Sequence, residues 1–281
     1  MDDVREGRLD ALHAAAGRLT RPRHPQWLRP SALVAVLVVL AQIAYPLAPP
    51  EPLRLLTIST VLAFAAASTL HAVATRGAAW AMGLICVAGG IGFLAEVVGV
   101  HTGIPFGRYS YADSLGPKAL GVPLIVPFAW VMMAYPCLLL GRRLARGVTA
   151  GSRTVATVVA TTGGLTLAAW DLFLDPQMVA AHHWTWANPT PSLPGVAGVP
   201  VTNNLGWVVV AIVMVGTLHH VLPDTWQGSD AVPAALLAWT WIGSTLGNAV
   251  FFHRPAVALW GGLAMGVLTA PYLYLMWRDR R

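Results

Sequence analysis

The sequence predicts an all-α membrane protein, a polytopic bundle of about eight transmembrane helices with two structured outer loops. Three observations favour this class. Hydrophobic residues make up 56% of the chain and charged residues 11%, whereas an average soluble domain is about 25% charged. The apolar residues form runs long enough to cross a bilayer, and the basic residues collect on one side of those runs. Because a soluble fold needs polar cover that this composition lacks, a bilayer is the expected environment.

Each predicted span is a run of about 20 mainly apolar residues, the length that crosses the hydrocarbon core as a helix. The spans are expected at residues 30–48, 53–74, 79–100, 121–141, 154–174, 205–222, 232–252 and 255–276. No internal repeat divides the chain, so residues 1–281 are interpreted as a single membrane domain. Its arginine-rich N-terminal segment, residues 1–29, either lies on the membrane surface as a helix or is disordered.

The basic residues predict the orientation of the bundle. Alternating through the spans from a cytoplasmic N-terminus leaves Arg54, Arg108, Lys118 and Arg254 outside and places the other fourteen of the 18 basic residues inside. This asymmetry satisfies the positive-inside rule. We therefore expect an integral protein of the cytoplasmic membrane with both termini in the cytoplasm. Because the arginines flank apolar segments, their expected partners are lipid headgroups and not nucleic acid.

Two connections on the outer side, residues 101–123 and 176–203, are rich in Gly, Pro, Tyr and Trp and have no helical period. Their aromatic side chains suit the membrane–water interface, where amphipathic rings are enriched. We expect both loops to fold back over the ends of the helices, above a candidate site.

Carboxyl side chains within the spans lie at the outer ends of two of them. Glu96 is near the end of the third span; Asp171 and Asp175 are near the end of the fifth, on one helical face. Asn203 and Asn204 begin the sixth span from the same side. An ionisable group in a span is costly unless it is paired, so this convergence indicates a functional site. The alternative to a functional site is a structural role. Because a proline follows Asp175, the helix would end there and the Asp175 side chain would stabilise its terminus.

The spacing of the candidate ligands disfavours metal and nucleotide chemistry. Histidines occur singly or as adjacent pairs such as His182 and His183, and adjacent helical residues point about 100° apart. The chain has no P-loop and no glycine-rich dinucleotide motif, so no metal and no cofactor are expected. Asp171 and Asp175 resemble one half of the aspartate-rich pattern of membrane prenyltransferases. They lie near the outer face without a second acidic motif, so a prenyltransferase-like enzyme is the second interpretation.

Three longer segments resemble those of the integral-membrane carotenoid hydratases of bacteria and archaea. They read GFLAEVVGVHTGIPFGRYSYADSLGPKALGVPLIVPFAWVMMAYP (92–136), AAWDLFLDPQMVAAHHWTWANP (168–189) and GVPVTNNLGW (198–207). That family includes hydratases of lycopene or γ-carotene and bisanhydrobacterioruberin hydratases. The resemblance covers about residues 80–222. It implies a hydro-lyase that adds water to the terminal C=C of an acyclic (ψ) carotenoid end group, giving a tertiary alcohol.

The resemblance also implies an acid catalyst that needs no cofactor. Its expected substrates are an acyclic carotenoid and water, and its expected partners are membrane lipid and other enzymes of carotenoid biosynthesis. A carboxylic acid in an apolar pocket stays protonated near neutral pH, and a second carboxylate and aromatic rings stabilise a cation. Our hypothesis gives protonation of the alkene to Asp171, polarisation of water to Glu96 or Asp175, and positioning of that water to Asn204. The substrate-binding residues expected from the matched motifs are Phe106, Tyr109, Tyr111, Trp130, Trp184, Trp186, Asn203 and Trp207.

Two classes of protein other than enzymes are alternatives, and the sequence disfavours the first. A transporter is expected to have repeated halves and charges at the midplane, and the sequence has neither. A non-catalytic carotenoid-binding protein needs only an apolar groove and remains open. Among enzymes, another carotenoid-modifying membrane enzyme remains open as well.

Overall fold

Eight long helices form most of the described chain in this computed structural model, which describes residues 29–225 and 228–279. In chain order they are α1 (Arg29–Ala44), α2 (Pro50–Arg76), α3 (Ala78–Thr102), α4 (Val126–Ala145), α5 (Ser152–Ala180), α6 (Val201–Val221), α7 (Ala231–Phe251) and α8 (Pro255–Arg278). Each helix coincides with one predicted apolar run, which confirms the all-α membrane bundle. The N-terminal segment 1–29 lies outside the described residues, apart from the position at which α1 begins.

Seven of the eight described long helices are long and apolar enough to cross a membrane. The remaining helix is α4. It ends in Arg142 and Arg143 and lies at the centre of the bundle, where it contacts α2, α3, α5, α6, α7 and α8. From Trp130 onward nearly every residue of α4 is buried, so this part of the helix meets protein and not lipid. Helix α4 begins at Val126, later than expected, because the preceding residues form a small hairpin of strands β2 (Lys118–Ala119) and β3 (Val122–Pro123).

Close packing at the centre depends on two adjacent glycines of α5. A Cβ atom at Gly163 would lie 2.7 Å from the carbonyl oxygen of Cys137 in α4, and one at Gly164 would lie 2.6 Å from the Cα atom of Ile212 in α6. These distances leave no room for a side chain, so the backbones of three helices meet here. Small residues allow such approach in membrane bundles, where van der Waals packing drives helix association.

Replacing Gly164 by valine is expected to destabilise the bundle by about 1–3 kcal/mol, because the new side chain meets the backbone of α6. Thermal unfolding of the detergent-solubilised protein measures the effect. Gly90→Val is the matched control, because a Cβ atom at Gly90 would meet no atom within 4 Å. Equal unfolding temperatures for the two variants would contradict the packing role of Gly164.

Helix α5 continues beyond its expected end at residue 174 to Ala180, with Pro176 inside it. The proline removes one helical hydrogen bond but does not end the helix. Asp175 therefore lies within α5 and not at its terminus, and its side chain is free for contacts with other elements.

The two outer loops are joined by a short antiparallel ribbon, which we call the lid ribbon. Strand β1 (Tyr109–Tyr111) pairs with β4 (Trp184–Trp186), with Tyr109 opposite Trp186 and Tyr111 opposite Trp184. Alternate residues of a strand share a face, and directly opposed residues lie on the same face. The four rings therefore lie on one side of the ribbon, with centroids 5.6 Å apart in the first pair and 5.5 Å apart in the second. Strands of this length were not predicted from the sequence.

The opposite end of the bundle is held by a buried polar network. Arg76 of α2 donates to the hydroxyl of Tyr135 in α4 at 2.7 Å and to the carboxylate of Asp230 before α7 at 2.9 Å. Nδ1 of His71 lies 2.7 Å from the same hydroxyl. These contacts connect three helices, so the network has a structural explanation that does not involve the outer site.

Candidate active site

The three carboxyl groups singled out from the sequence are buried beneath the lid ribbon. The exposed fraction is 5% for Glu96, 0% for Asp171 and 3% for Asp175. None of the ion pairs formed among residues 29–225 and 228–279 involves them. A buried carboxylate without a cation is costly, so these groups depend on hydrogen bonds or on a bound proton.

Glu96 accepts hydrogen bonds from three aromatic side chains. The hydroxyls of Tyr109 and Tyr111 both donate to Oε2, the second at 2.8 Å. The indole Nε1 of Trp130 donates to Oε1 at 3.3 Å. The strand geometry explains the first two contacts, because residues 109 and 111 lie on the same face of β1. Glu96 thus connects α3 to the lid ribbon and to the central helix.

The two tyrosines are held in the protonated form. Burial first, and the adjacent Glu96 carboxyl second, raise the pKa of Tyr109 and of Tyr111 well above the ordinary value for a phenol. Both hydroxyls therefore act as donors to Glu96 at any physiological pH.

Asp171 and Asp175 share a single donor. The side-chain amide of Asn203 at the start of α6 donates to Oδ2 of Asp171 at 3.0 Å and to Oδ2 of Asp175. Asp175 also accepts from Nε1 of Trp184 in the lid ribbon, with 3.1 Å between Nε1 and Oδ1. Among the described residues, Oδ1 of Asp171 is buried without a hydrogen-bond partner. Two adjacent acidic groups with few donors form a second, chemically different carboxyl centre.

A cavity of about 60 Å³ lies between these two centres. On the same measure one water needs roughly 10–15 Å³, so a few waters fit. Ten of the twelve site residues expected from the sequence line it: Glu96, Phe106, Tyr109, Tyr111, Trp130, Asp175, Trp184, Trp186, Asn203 and Trp207. The fold therefore brings together residues that are more than 100 positions apart in the chain.

Asp171 and Asn204 are the two expected site residues that are not in the lining of this cavity. Asp171 lies one helical turn before Asp175 and contacts the site through Asn203. Asn204 follows Asn203 on a helix, where neighbours point about 100° apart, and its buried Oδ1 has no partner among the described residues. Of the two aspartates only Asp175 lines the cavity, and of the two asparagines only Asn203 does. The catalytic roles given to Asp171 and Asn204 stay a prediction.

Aromatic rings form one wall of the cavity. Trp130 and Trp207 are stacked with their ring centroids 4.0 Å apart and their planes 15° apart. Trp170 meets Trp207 edge-on, with centroids 5.9 Å apart. The faces of such rings are electron-rich and attract cations. The site therefore combines proton-carrying groups with a surface that favours positive charge.

Helix α2 supplies part of the wall that sequence reasoning did not identify. Thr57 and Val61 line the cavity together with Leu174 and Met178 of α5. The sequence does not indicate that these residues line a cavity, because a residue of a spanning helix gives the same sequence pattern whether it faces lipid, protein or a cavity.

A larger cavity of about 380 Å³ adjoins the first. Its lining comes from the end of α1 and the turn after it, from α2, α5 and α7, and from Met132 of α4. Most of the lining is apolar and aromatic, including Trp170, Phe173, Trp239 and Phe252. The two cavities have four wall residues in common, the same Thr57, Val61, Leu174 and Met178.

Within the described residues, His, Cys, Asp and Glu side chains form no group of three or more that is arranged to hold a metal ion. Nδ1 of His183, near the site, lies 2.7 Å from the hydroxyl of Ser114. Burial lowers the pKa of His183, which favours the neutral ring. The expectation of a cofactor-independent site stays a prediction.

Comparison with known proteins identifies a family to which the chain is similar. The family model described as "Carotenoid biosynthesis protein" matches residues 56–270. Bisanhydrobacterioruberin hydratase from Haloarcula japonica is 38% identical over 126 residues, which is 43% of this chain and 38% of that protein. The chain thus matches well under two thirds of that relative's length. No solved structure matches the chain.

Proposed function

The chain belongs to the carotenoid biosynthesis protein family, and from this premise we propose that it is a carotenoid hydratase. It adds water to the terminal C=C of an acyclic (ψ) carotenoid end group through a tertiary carbocation, as a hydro-lyase working in reverse. One observation supports this most directly. Two carboxyl groups with different hydrogen-bond environments, Glu96 and Asp175, line one small cavity whose wall contains stacked tryptophans.

The two carboxyl centres suit opposite roles. Three donors reach Glu96, and hydrogen bonds to a carboxylate favour its charged form. Asp171 and Asp175 share one amide, and two ionised carboxylates in contact repel each other, so such a pair retains a proton. We assign the acid to the pair, with Asp175 facing the cavity, and the base to Glu96.

The proposed reaction begins with transfer of the shared proton from Asp175 to the less substituted carbon of the terminal double bond. The π electrons form the new C–H bond and leave a tertiary cation at the other carbon. The Trp130 and Trp207 rings stabilise this cation through their quadrupoles, and ionised Glu96 stabilises it by charge. Because the cavity admits few waters, the cation survives until one water is aligned for attack.

A water held between Glu96 and the amide of Asn203 then attacks the cation. Its oxygen forms the C–O bond, and the proton that it releases passes to Glu96. Return of that proton to the Asp171–Asp175 pair through cavity water restores the site. The sum is alkene plus water giving a tertiary alcohol, and Asp171 acts as a positioning residue that keeps the proton in the pair.

The substrate's shape is consistent with a site at one membrane face. A carotenoid is an apolar rod comparable in length to the hydrocarbon core, about 30 Å thick. With both termini in the cytoplasm, as the arginine distribution predicts, the lid ribbon lies at the outer face, where water is available.

The test is production of the protein in a bacterial host that makes lycopene, in medium enriched with heavy-oxygen water. We expect a carotenoid heavier by one water, with its oxygen label taken from water. An oxygenated product without the label of the water would identify an oxygenase and contradict the proposal. Carotenoid that co-purifies with the protein without any hydrated product would favour a binding role.

A further inference from the structure

We propose that the larger cavity binds the part of the polyene chain next to the reactive end group, and that this chain enters from the outer lipid leaflet. The inference rests on the proposed hydratase function, and it assigns the substrate's body to a second cavity distinct from the reaction cavity.

The two cavities are separated by a single layer of side chains. Thr57 and Val61 of α2 face Leu174 and Met178 of α5, and all four line both spaces. Rotamer changes of such side chains open a passage without movement of the helix backbones, and Met is adaptable in this role. An elongated molecule in the larger cavity therefore has a direct path for its tip to Glu96 and Asp175.

The mouth of the larger cavity lies at the apolar surface of the bundle. Leu47, Leu246 and Phe251 belong to its lining and are 71%, 55% and 51% exposed. In a membrane such side chains contact acyl chains, so the cavity opens to lipid and not to water. A carotenoid dissolved in the bilayer then reaches the site sideways, without crossing the headgroup layer.

The size of the larger cavity fits part of a carotenoid. Its 380 Å³ lie within the range of small-molecule sites, about 300–1,000 Å³. Its mainly apolar and aromatic lining offers a polyene dispersion contacts over most of its surface. Because a carotenoid is about as long as the hydrocarbon core is thick, the rest of the molecule remains in lipid.

Ser244 of α7 is the position at which this inference is best tested. It lines the larger cavity and not the smaller one. The neighbouring Asn248 amide donates to the backbone carbonyl of Ser244 at 2.9 Å, so a change of side chain leaves that bond in place. A bulky residue at 244 fills the space meant for the polyene, whereas the carboxyl groups stay unchanged. Ser59 of α2 is exposed on the surface of the bundle, and Ser59→Trp is the matched control.

The experiment purifies wild type, Ser244→Leu, Ser244→Trp and Ser59→Trp from the lycopene-producing host. Absorbance gives the carotenoid bound per protein, and mass spectrometry gives the hydrated product. We expect Ser244→Trp to lower both by about tenfold, Ser244→Leu to give a smaller loss, and Ser59→Trp to match wild type. Ser244→Leu, the milder change, also serves if the tryptophan variant fails to elute as a monodisperse protein.

The outcomes separate this inference from the proposed function. Hydrated product at wild-type levels in both Ser244 variants would overturn the second cavity and leave the hydratase intact. Bound carotenoid that depends on Ser244, without product from wild type, would support the cavity and contradict the hydratase. Equal losses in Ser244→Trp and Ser59→Trp, or bound carotenoid that is insensitive to residue 244, would overturn the assignment of the polyene to this cavity.

Discussion

Replacing Asp175 by asparagine is expected to lower carotenoid hydration by about 10³-fold, in the middle of the range for loss of a general acid. The amide has nearly the same shape and still accepts a hydrogen bond from Trp184, but it has no proton to give to the alkene. An isolated alkene is a weak base, so no other group in the cavity replaces the acid. Product formation per purified protein, measured by mass spectrometry in detergent with lycopene, gives the effect.

The matched control for Asp175→Asn is Asp113→Asn. Asp113 lies in the first outer loop, near the same end of the bundle, but its side chain is 99% exposed and pairs with Lys118 at 2.7 Å. An exposed ion pair contributes little, so this variant should behave as wild type. Asp171→Asn is expected to retain more activity than Asp175→Asn, because Asp171 does not line the cavity. The reverse order would return the role of acid to Asp171.

The helices and the site's neighbourhood were predictable because bilayer physics acts on local sequence. Runs of about 20 apolar residues have few alternatives to a spanning helix. Carboxyl groups within membrane spans are costly. The sequence therefore predicted Glu96, Asp171 and Asp175 as site residues, even though their partners are distant in the chain. The same reasoning placed the aromatic loops above them, since both loops connect helix ends on one side.

The assignment of roles within the site was not predictable from spacing. A separation of four residues puts Asp171 and Asp175 on one face, but it does not say which carboxyl meets a cavity and which lies behind it. Asn203 and Asn204 present the same difficulty, since a rotation of α6 by one residue would exchange them. Tertiary packing fixes that rotation, through the contact of α6 with α5 at Gly164 and with the backbone of Pro105 at Gly206.

The lid ribbon and the larger cavity depend on tertiary contacts that leave no local pattern. Strands of three residues are too short for alternation to be recognised, and the pairing of Tyr109 with Trp186 joins loops that are distant in sequence. The wall of the larger cavity is built mostly from ordinary apolar residues of five helices. What distinguishes Val61 or Ser244 from a lipid-facing neighbour is the space next to it, which is a property of the bundle.

Replacing Glu96 by glutamine is expected to lower hydration by about 10²-fold or more, because the amide does not take the proton that water releases. Glutamine still accepts hydrogen bonds from Tyr109 and Tyr111 through its carbonyl oxygen, so the lid ribbon should keep its position. The variant also lacks the negative charge that stabilises the cation. Alkene protonation by Asp175 remains available, but the cation returns to alkene more often than it meets an aligned water.

This difference separates base from acid in one experiment. In deuterated water Asp175 delivers a deuteron, and when the cation reverts, either hydrogen isotope leaves the same carbon. Glu96→Gln should therefore place deuterium in the recovered alkene while making little alcohol, whereas Asp175→Asn should place none there. Deuterium exchange that is lost in Glu96→Gln but kept in Asp175→Asn would reverse the two roles. Exchange that survives in both variants would mean that neither carboxyl group protonates the alkene.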